Sequence, residues 1–248
     1  MTSALVAGSF YNTGQACNAL SWLVVPSSWY GEVVDAMVDA VRSMRVGDPM
    51  DPDTVIGPLV SKTQYDRVRG YIETGKREGA VVACGGGRPA DLETGYFIEP
   101  TVFTGVDNRM TIAQEEIFGP VLSVISYDGG DDEAVAIAND SVYGLHGAVF
   151  TRDADRAARV ASRVDAGTFT INGLVTNVDA PYSGVKASGL GRENGLQGLE
   201  EFLEYHVIND PIAAELIAER ARAAGALRNL RGSVAAERAG SAAVLAPQ

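Results

Sequence analysis

A cysteine near the start of the chain has surroundings typical of a nucleophile. Cys17 lies in the run FYNTGQACNA at residues 10–19, within a stretch from Met1 to Gly31 that contains no Asp, Glu, Lys or Arg. A thiolate attacks carbonyl carbon, and a tight backbone turn at Gly14 can direct amide N–H groups toward the sulfur and toward an oxyanion formed beside it. An isolated cysteine is more commonly a buried structural residue, so this segment alone leaves both interpretations open.

Two motifs in this order resemble the aldehyde dehydrogenase superfamily. The first is an aromatic residue, three variable positions and then Gly-Gln-x-Cys-x-Ala, which matches residues 10–19. The second is Glu-x-Phe-Gly-Pro, which lies about a hundred positions downstream at residues 116–120. Similar segments occur at residues 57–60, 95–101, 139–145 and 181–189, so the resemblance covers about residues 4–208.

The resemblance implies NAD(P)-dependent oxidation of a small-molecule aldehyde to a carboxylic acid. Cys17 would be the nucleophile that forms a thiohemiacetal and then a thioester, and its own backbone N–H would stabilise the oxyanion. The Glu116 carboxylate would bind the ribose hydroxyls of NAD or NADP, and Phe118 would pack near the nicotinamide ring. Without the cysteine motif, Glu116 and Phe118 would more simply be a helix-end carboxylate and a core aromatic residue.

Three further residues occupy positions where the resemblance implies a role. Gln64 and Arg67 lie where the family often places ribose contacts, although they could instead be a capping residue and an exposed helical residue. Tyr182 is expected to line the substrate entrance or to pack within its Pro-Tyr-Ser-Gly turn. One position departs from the family pattern, because Trp22 stands where an arginine is common, five residues after the cysteine.

Family members are considerably longer, and the resemblance implies that a preceding segment would carry most of the dinucleotide-binding fold, the glutamate general base and the asparagine of the oxyanion hole. We therefore expect a catalytic portion that forms a homo-oligomer or binds a complementary N-terminal chain, with a terminal oligomerisation strand near residues 199–208. One alternative is a truncated, catalytically inactive relative that acts as an interaction or assembly partner. Another is a cofactor-independent thiol hydrolase.

Composition favours a folded cytoplasmic protein. The net charge of −12 argues against nucleic acid and anionic membrane partners, and polar residues interrupt the uncharged N-terminal stretch too often for a membrane span. Two cysteines are too few for a disulfide framework. His146 and His206 are 60 residues apart, so the spacing supports neither a metal site nor a Cys–His pair.

The pattern of the chain predicts an α/β fold with a mostly parallel twisted sheet flanked by helices. Residues 1–208 are expected to form the aldehyde dehydrogenase-like domain. Residues 209–248 contain 13 alanines and five arginines without an aromatic residue, and they are expected to be a partly helical or disordered tail. The predicted helices follow Ser27, begin after Ser61 and span 131–139 and 153–164; the predicted strands span 80–84, 121–127, 147–151 and 168–172.

Overall fold

The fold is described from a computed structural model, which covers residues 2–174, 177–209, 213 and 215–225. The chain divides into two compact units, Met1–Phe202 and Leu203–Gln248. The division of the chain at residue 208 stays a prediction.

A four-stranded sheet forms the centre of the first unit. Its strands are β1 (Trp22–Pro26), β2 (Val81–Cys84), β3 (Thr101–Thr104) and β4 (Val121–Tyr127). They lie in the order β1-β4-β3-β2, in which β4 pairs in parallel with β1 and β3 while β2 runs antiparallel at the edge. The predicted mostly parallel sheet is thus confirmed.

Helices cover both faces of this sheet because its central strands are apolar on both sides. Leu122 and Val124 of β4 face a core cluster that contains Met37. Val121 and Ile125 face a second cluster on the opposite side. The helices of the first unit are α1 (Thr2–Phe10), α2 (Tyr30–Arg42), α3 (Lys62–Glu78), α4 (Thr111–Gln114), α5 (Gly130–Asn139), α6 (Ala154–Ala161) and α7 (Gly195–Glu200).

Helix α3 begins after Ser61, as the sequence predicts. The Ser61 side chain accepts a hydrogen bond from the backbone N–H of Gln64, and Gly79 closes the helix in the left-handed conformation at φ 101°. These are the N-cap and C-cap signals of a stable helix. The helix buries Val68 and Ile72 against the sheet. It therefore holds Gln64 and Arg67 in a fixed position near the second motif.

A separate two-stranded parallel sheet follows, made of β5 (His146–Val149) and β6 (Thr168–Ile171). The sequence predicts both strands, with bounds that differ from the observed ones by at most two residues. Helix α6 lies between them in the chain, as expected for a parallel connection.

The second unit contains an irregular stretch at residues 203–209 and a helical stretch at residues 215–225. This helical stretch lies within residues 209–248, for which the sequence predicts a partly helical or disordered tail, and residues 210–212, 214 and 226–248 lie outside the described residues. Among the helices that the structure describes in either unit, none is long and apolar enough to cross a membrane.

Candidate active site

The backbone before Cys17 makes an unusual left-handed turn. Asn12, Thr13 and Gly14 have φ values of 50°, 60° and 68° in succession. Glycine is needed at the third position for a steric reason as well, since a Cβ atom on Gly14 would lie 2.1 Å from the carbonyl oxygen of Gly119. The cysteine motif thus packs directly against the backbone of the Glu-x-Phe-Gly-Pro motif.

Hydrogen bonds from a third family-like segment hold the same turn. The Gln15 side-chain oxygen accepts from the backbone N–H of Val60 at 3.0 Å. The buried Thr13 hydroxyl donates to the carbonyl of Gly57 at 3.4 Å. Residues 57–60 therefore fix the direction in which the chain enters the cysteine.

Cys17 is an exposed free thiol. Its backbone N–H donates to no acceptor in the part of the chain that the structure describes, which leaves it available to a bound oxyanion. The Sγ atom lies 3.6 Å from the Oη atom of Tyr182. The other thiol, Cys84, is buried at the end of β2, and burial raises the pKa of Cys84.

Two backbone hydrogen bonds fix Tyr182. Its N–H donates to the carbonyl of Glu193 at 2.7 Å, and its carbonyl accepts from the N–H of Glu193 at 2.8 Å. Burial of the side chain raises the pKa of the Tyr182 phenol well above its ordinary value, and the adjacent Cys17 sulfur acts in the same direction. The phenol is therefore protonated at neutral pH.

The second motif presents an acidic and an aromatic side chain. Glu116 is exposed, and its carboxylate makes no hydrogen bond or ion pair with any described residue. Phe118 is half-buried and has a φ of 57°, which side chains rarely adopt. A free carboxylate with two acceptor oxygens fits ligand hydroxyl groups.

Gln64 and Arg67 hold the backbone of this motif. The Gln64 Nε2 atom donates to the carbonyls of Ile117 and Phe118 at 3.1 and 2.7 Å. Arg67 donates to the carbonyl of Glu116 at 2.5 Å. Both side chains thus contact peptide groups of the motif, and their expected ribose contacts stay a prediction.

One cavity of about 570 Å³ brings Cys17, Glu116 and Phe118 together. Trp22, the residue that departs from the family pattern, also lines it. The cavity therefore has an apolar indole at the position where the resemblance would lead us to expect an arginine. Tyr182, Gln64 and Arg67 are outside the cavity lining. Tyr182 contacts the Cys17 sulfur, whereas Gln64 and Arg67 contact backbone carbonyls of the second motif.

His146 is a residue of the site that the sequence did not assign. It lines the cavity, and its Nδ1 atom donates to the carbonyl of Asn18 at 3.0 Å. Its Nε2 atom lies 3.0 Å from the hydroxyl oxygen of Thr170. His146 makes no hydrogen bond to Cys17 among the described residues, so its contacts are those of a side chain that anchors Asn18, the residue after Cys17.

Known proteins with the same sequence pattern identify the family. The sequence profile of the aldehyde dehydrogenase family matches residues 1–208. The betaine aldehyde dehydrogenase of Mesorhizobium japonicum is 49% identical over 195 residues, which are 77% of this chain and 40% of that protein. The geranial dehydrogenase of Castellaniella defragrans is 48% identical over 202 residues, with 82% and 42% of the two chains covered.

Solved structures agree in fold. An aldehyde dehydrogenase of Mycobacterium tuberculosis in complex with NAD+ has a TM-score of 0.79 and 47% identity, covering 82% of this chain and 44% of that chain. A betaine aldehyde dehydrogenase of Staphylococcus aureus in complex with NAD+ has a TM-score of 0.80 and 41% identity, covering 82% and 41%. This chain belongs to the aldehyde dehydrogenase family. It spans about two fifths of the length of the curated relatives it matches.

Proposed function

We propose that this chain supplies the nucleophile and part of the cofactor site for NAD(P)-dependent oxidation of an aldehyde to a carboxylic acid. The observation that carries the proposal is one cavity that contains an exposed thiol, Cys17, and an unpaired carboxylate, Glu116. Because the chain belongs to the aldehyde dehydrogenase family, we interpret the thiol as the nucleophile and the carboxylate as part of the cofactor site. The Cys17 thiolate adds to the aldehyde carbon, and the alkoxide of the resulting thiohemiacetal accepts a hydrogen bond from the free N–H of Cys17.

Sulfur suits this reaction because it can carry the acyl group as a thioester. Oxidation of the thiohemiacetal leaves the acyl group on Cys17, and attack by water then releases the acid. A thioester is hydrolysed more readily than an oxygen ester, so one difficult conversion becomes two easier steps. The first step needs Cys17 ionised and accessible, and its exposure meets the second requirement.

The residues present fit a nicotinamide dinucleotide. When bound, the nicotinamide accepts hydride from the substrate carbon. Glu116 offers two free acceptor oxygens for ribose hydroxyls, and Phe118 lines the same cavity with an apolar ring. Gln64 and Arg67 hold Phe118 and Glu116 in position by donating hydrogen bonds to the backbone carbonyls of these two residues. We propose that Gln64 and Arg67 also contribute contacts to the ribose. The related structures that contain NAD+ favour NAD over NADP.

The matched relatives are more than twice as long as the matched region. We place the general base, the second oxyanion donor and the pyrophosphate contacts in the part of the relatives that lies outside the match. A polypeptide of these 248 residues alone would then oxidise aldehydes below detection. It would act in a homo-oligomer or with a complementary chain. We place it in the cytoplasm, where its two free thiols would stay reduced.

Reconstitution tests this proposal. The N-terminal part of the Mesorhizobium betaine aldehyde dehydrogenase that lies outside the match would be fused to this chain, and reduction of NAD+ and NADP+ would be followed with a panel of aldehydes. We expect aldehyde-dependent reduction of NAD+ that is lost on Cys17→Ser. A folded fusion that binds NAD+ without turnover would favour the inactive assembly partner, and ester hydrolysis by this chain without nucleotide would favour the thiol hydrolase.

A further inference from the structure

The hydroxyl of Tyr182 is the polar side-chain group that the structure places against the Cys17 sulfur. The two atoms are 3.6 Å apart although the residues are 165 positions apart in the chain. That distance fits a hydrogen bond to sulfur, whose larger radius lengthens such contacts. No other side chain of the described residues makes a hydrogen bond to Cys17.

The chemistry of the pair gives the hydrogen bond a direction. Burial raises the pKa of the Tyr182 phenol, so the phenol keeps its proton at neutral pH and well above it. A protonated phenol can donate, and an ionised sulfur is a stronger acceptor than a neutral thiol. The contact therefore strengthens when Cys17 loses its proton.

Backbone contacts fix the positions of both residues of the pair, Tyr182 and Cys17. Tyr182 pairs with Glu193 as an isolated antiparallel bridge with hydrogen bonds in both directions. On the other side of the contact, the left-handed turn at residues 12–14 and the Asn18–His146 hydrogen bond fix the backbone around Cys17. Two separately anchored segments thus bring the oxygen and the sulfur together.

We propose that Tyr182 is a catalytic residue that donates a hydrogen bond to the thiolate of Cys17 in the resting protein. Its importance for turnover rests on the proposed function, whereas the hydrogen bond itself does not. The donor favours the ionised nucleophile near neutral pH and holds Sγ in one direction. When the sulfur bonds to carbon, its negative charge moves to the substrate oxygen and the hydrogen bond weakens. The role belongs to the hydroxyl and differs from that of an aromatic ring that only lines an entrance.

Removal of the hydroxyl alone tests the proposal. The full chain and its Tyr182→Phe variant would be alkylated with iodoacetamide between about pH 6 and pH 10, and labelling of Cys17 would be followed by peptide mapping. A donor to sulfur increases the thiolate fraction but decreases the reactivity of each thiolate. We expect Tyr182→Phe to react about twofold more slowly near pH 7 and about twofold faster near pH 10, so that the two profiles cross.

The control variant is Tyr11→Phe, which removes an exposed hydroxyl six residues before Cys17 that has no partner among the described residues. Its profile should coincide with that of the unmodified chain. Profiles of Tyr182→Phe that are parallel to the parent profile, or identical to it, would overturn the proposal, since changed access alters the rate equally at every pH. Thiolate absorbance in the ultraviolet provides a second readout, and the variant should show less of it near pH 7.

These measurements need neither aldehyde nor nucleotide. If the pH profiles of Cys17 alkylation cross but the reconstituted enzyme is inactive, the proposed function is refuted and the proposed hydrogen bond is still supported. An active reconstituted enzyme without the crossing would refute the role of Tyr182 alone. In an active enzyme, Tyr182→Phe should lower the rate of thioester formation most strongly at acidic pH, whereas Tyr11→Phe should not change it.

Discussion

At the scale of single residues, the two cysteines have opposite environments. Cys17 is exposed beside a tyrosine hydroxyl and has a free backbone N–H. Cys84 is only 8% exposed, within the core cluster that contains Val102 and Leu122. Reactivity of a thiol depends on access and on its ionised fraction, and the two residues differ in access.

Selective labelling is the first expected outcome. Iodoacetamide at about pH 8 should label Cys17 at least about tenfold faster than Cys84 in the folded chain. Because burial raises the pKa of Cys84, its labelling should remain slow near neutral pH and increase only as the pH rises further. Peptide mapping over time measures both rates, and unfolding in urea should make them similar. Equal labelling in the folded chain would contradict the assignment of Cys17.

Sequence motifs were sufficient to nominate Cys17, Glu116 and Phe118, which share one cavity. They could not predict the contact between Cys17 and Tyr182, because it joins residues 165 positions apart. They also did not predict that Gln64 donates to two carbonyls, since a surface glutamine on a helix has many possible partners. Contacts of this kind depend on how separate segments pack.

At the scale of elements, the cysteine turn and the Glu-x-Phe-Gly-Pro loop behave as one structure. Gly14 packs against the Gly119 backbone, and α3 holds the same loop through Gln64. Close backbone packing therefore positions the segments that carry Cys17 and Glu116 relative to each other. Two substitutions test this coupling from opposite sides.

The first substitution is Gly14→Ala. The new Cβ would lie 2.1 Å from the Gly119 carbonyl oxygen and would occupy a φ of 68°, so the two loops must separate. We expect a loss of about 2 kcal/mol or more in the free energy of unfolding, measured in urea, and altered labelling of Cys17.

The matched control is Gly70→Ala in α3, where the new Cβ would meet no atom within 4 Å. Alanine is favoured over glycine in a helix, so this variant should be unchanged or more stable by up to about 1 kcal/mol. Similar stability of the two variants would show that the contact between the motifs is unimportant.

The second substitution is Gln64→Glu, which replaces the donor to Ile117 and Phe118 by a carboxylate that faces their carbonyls. We expect a loss of about 1–2 kcal/mol in unfolding free energy. Thr63→Glu adds the same charge at an exposed position one residue earlier, near the helix N-terminus where negative charge is favourable. A Gln64→Glu variant as stable as the Thr63→Glu control would mean that Gln64 does not hold the loop.

Elements with strong local signals were predictable from the sequence. Helix α3 has both caps, and β4 was predicted with the bounds Val121–Tyr127 that the structure gives. The sequence pattern does not predict α1, β1 or β3. The uncharged N-terminal residues have no polar face to reveal a helical period, and β1 and β3 are short strands defined by their parallel pairing with β4.

At the scale of the whole molecule, apolar side chains are exposed just before the helical stretch of the second unit. Leu203, Tyr205 and Val207 are 57, 85 and 74% exposed at alternate positions of the irregular stretch at residues 203–209, a spacing typical of a strand with one apolar face. An exposed apolar segment of this kind favours pairing with another chain. This pattern supports the proposed oligomer.

We expect light scattering to give a mass above the 26.1 kDa of one chain. Val207→Pro should shift the mass toward the monomer, because proline cannot donate a strand hydrogen bond. Ile217→Lys, which changes a residue that is 66% exposed in the helical stretch, is the control and should leave the mass unchanged. A monomeric parent chain at micromolar concentration would refute the proposed self-association.

In the proposed function, Cys17 carries the acyl group during aldehyde oxidation. The fusion with the relative's N-terminal part would be mixed with aldehyde and NAD+, quenched in acid within the first turnovers and mapped by mass spectrometry. We expect an acyl group on the peptide that contains Cys17, removable by hydroxylamine and absent without NAD+. Turnover without an adduct on Cys17, accompanied by full activity of the Cys17→Ser variant, would contradict it.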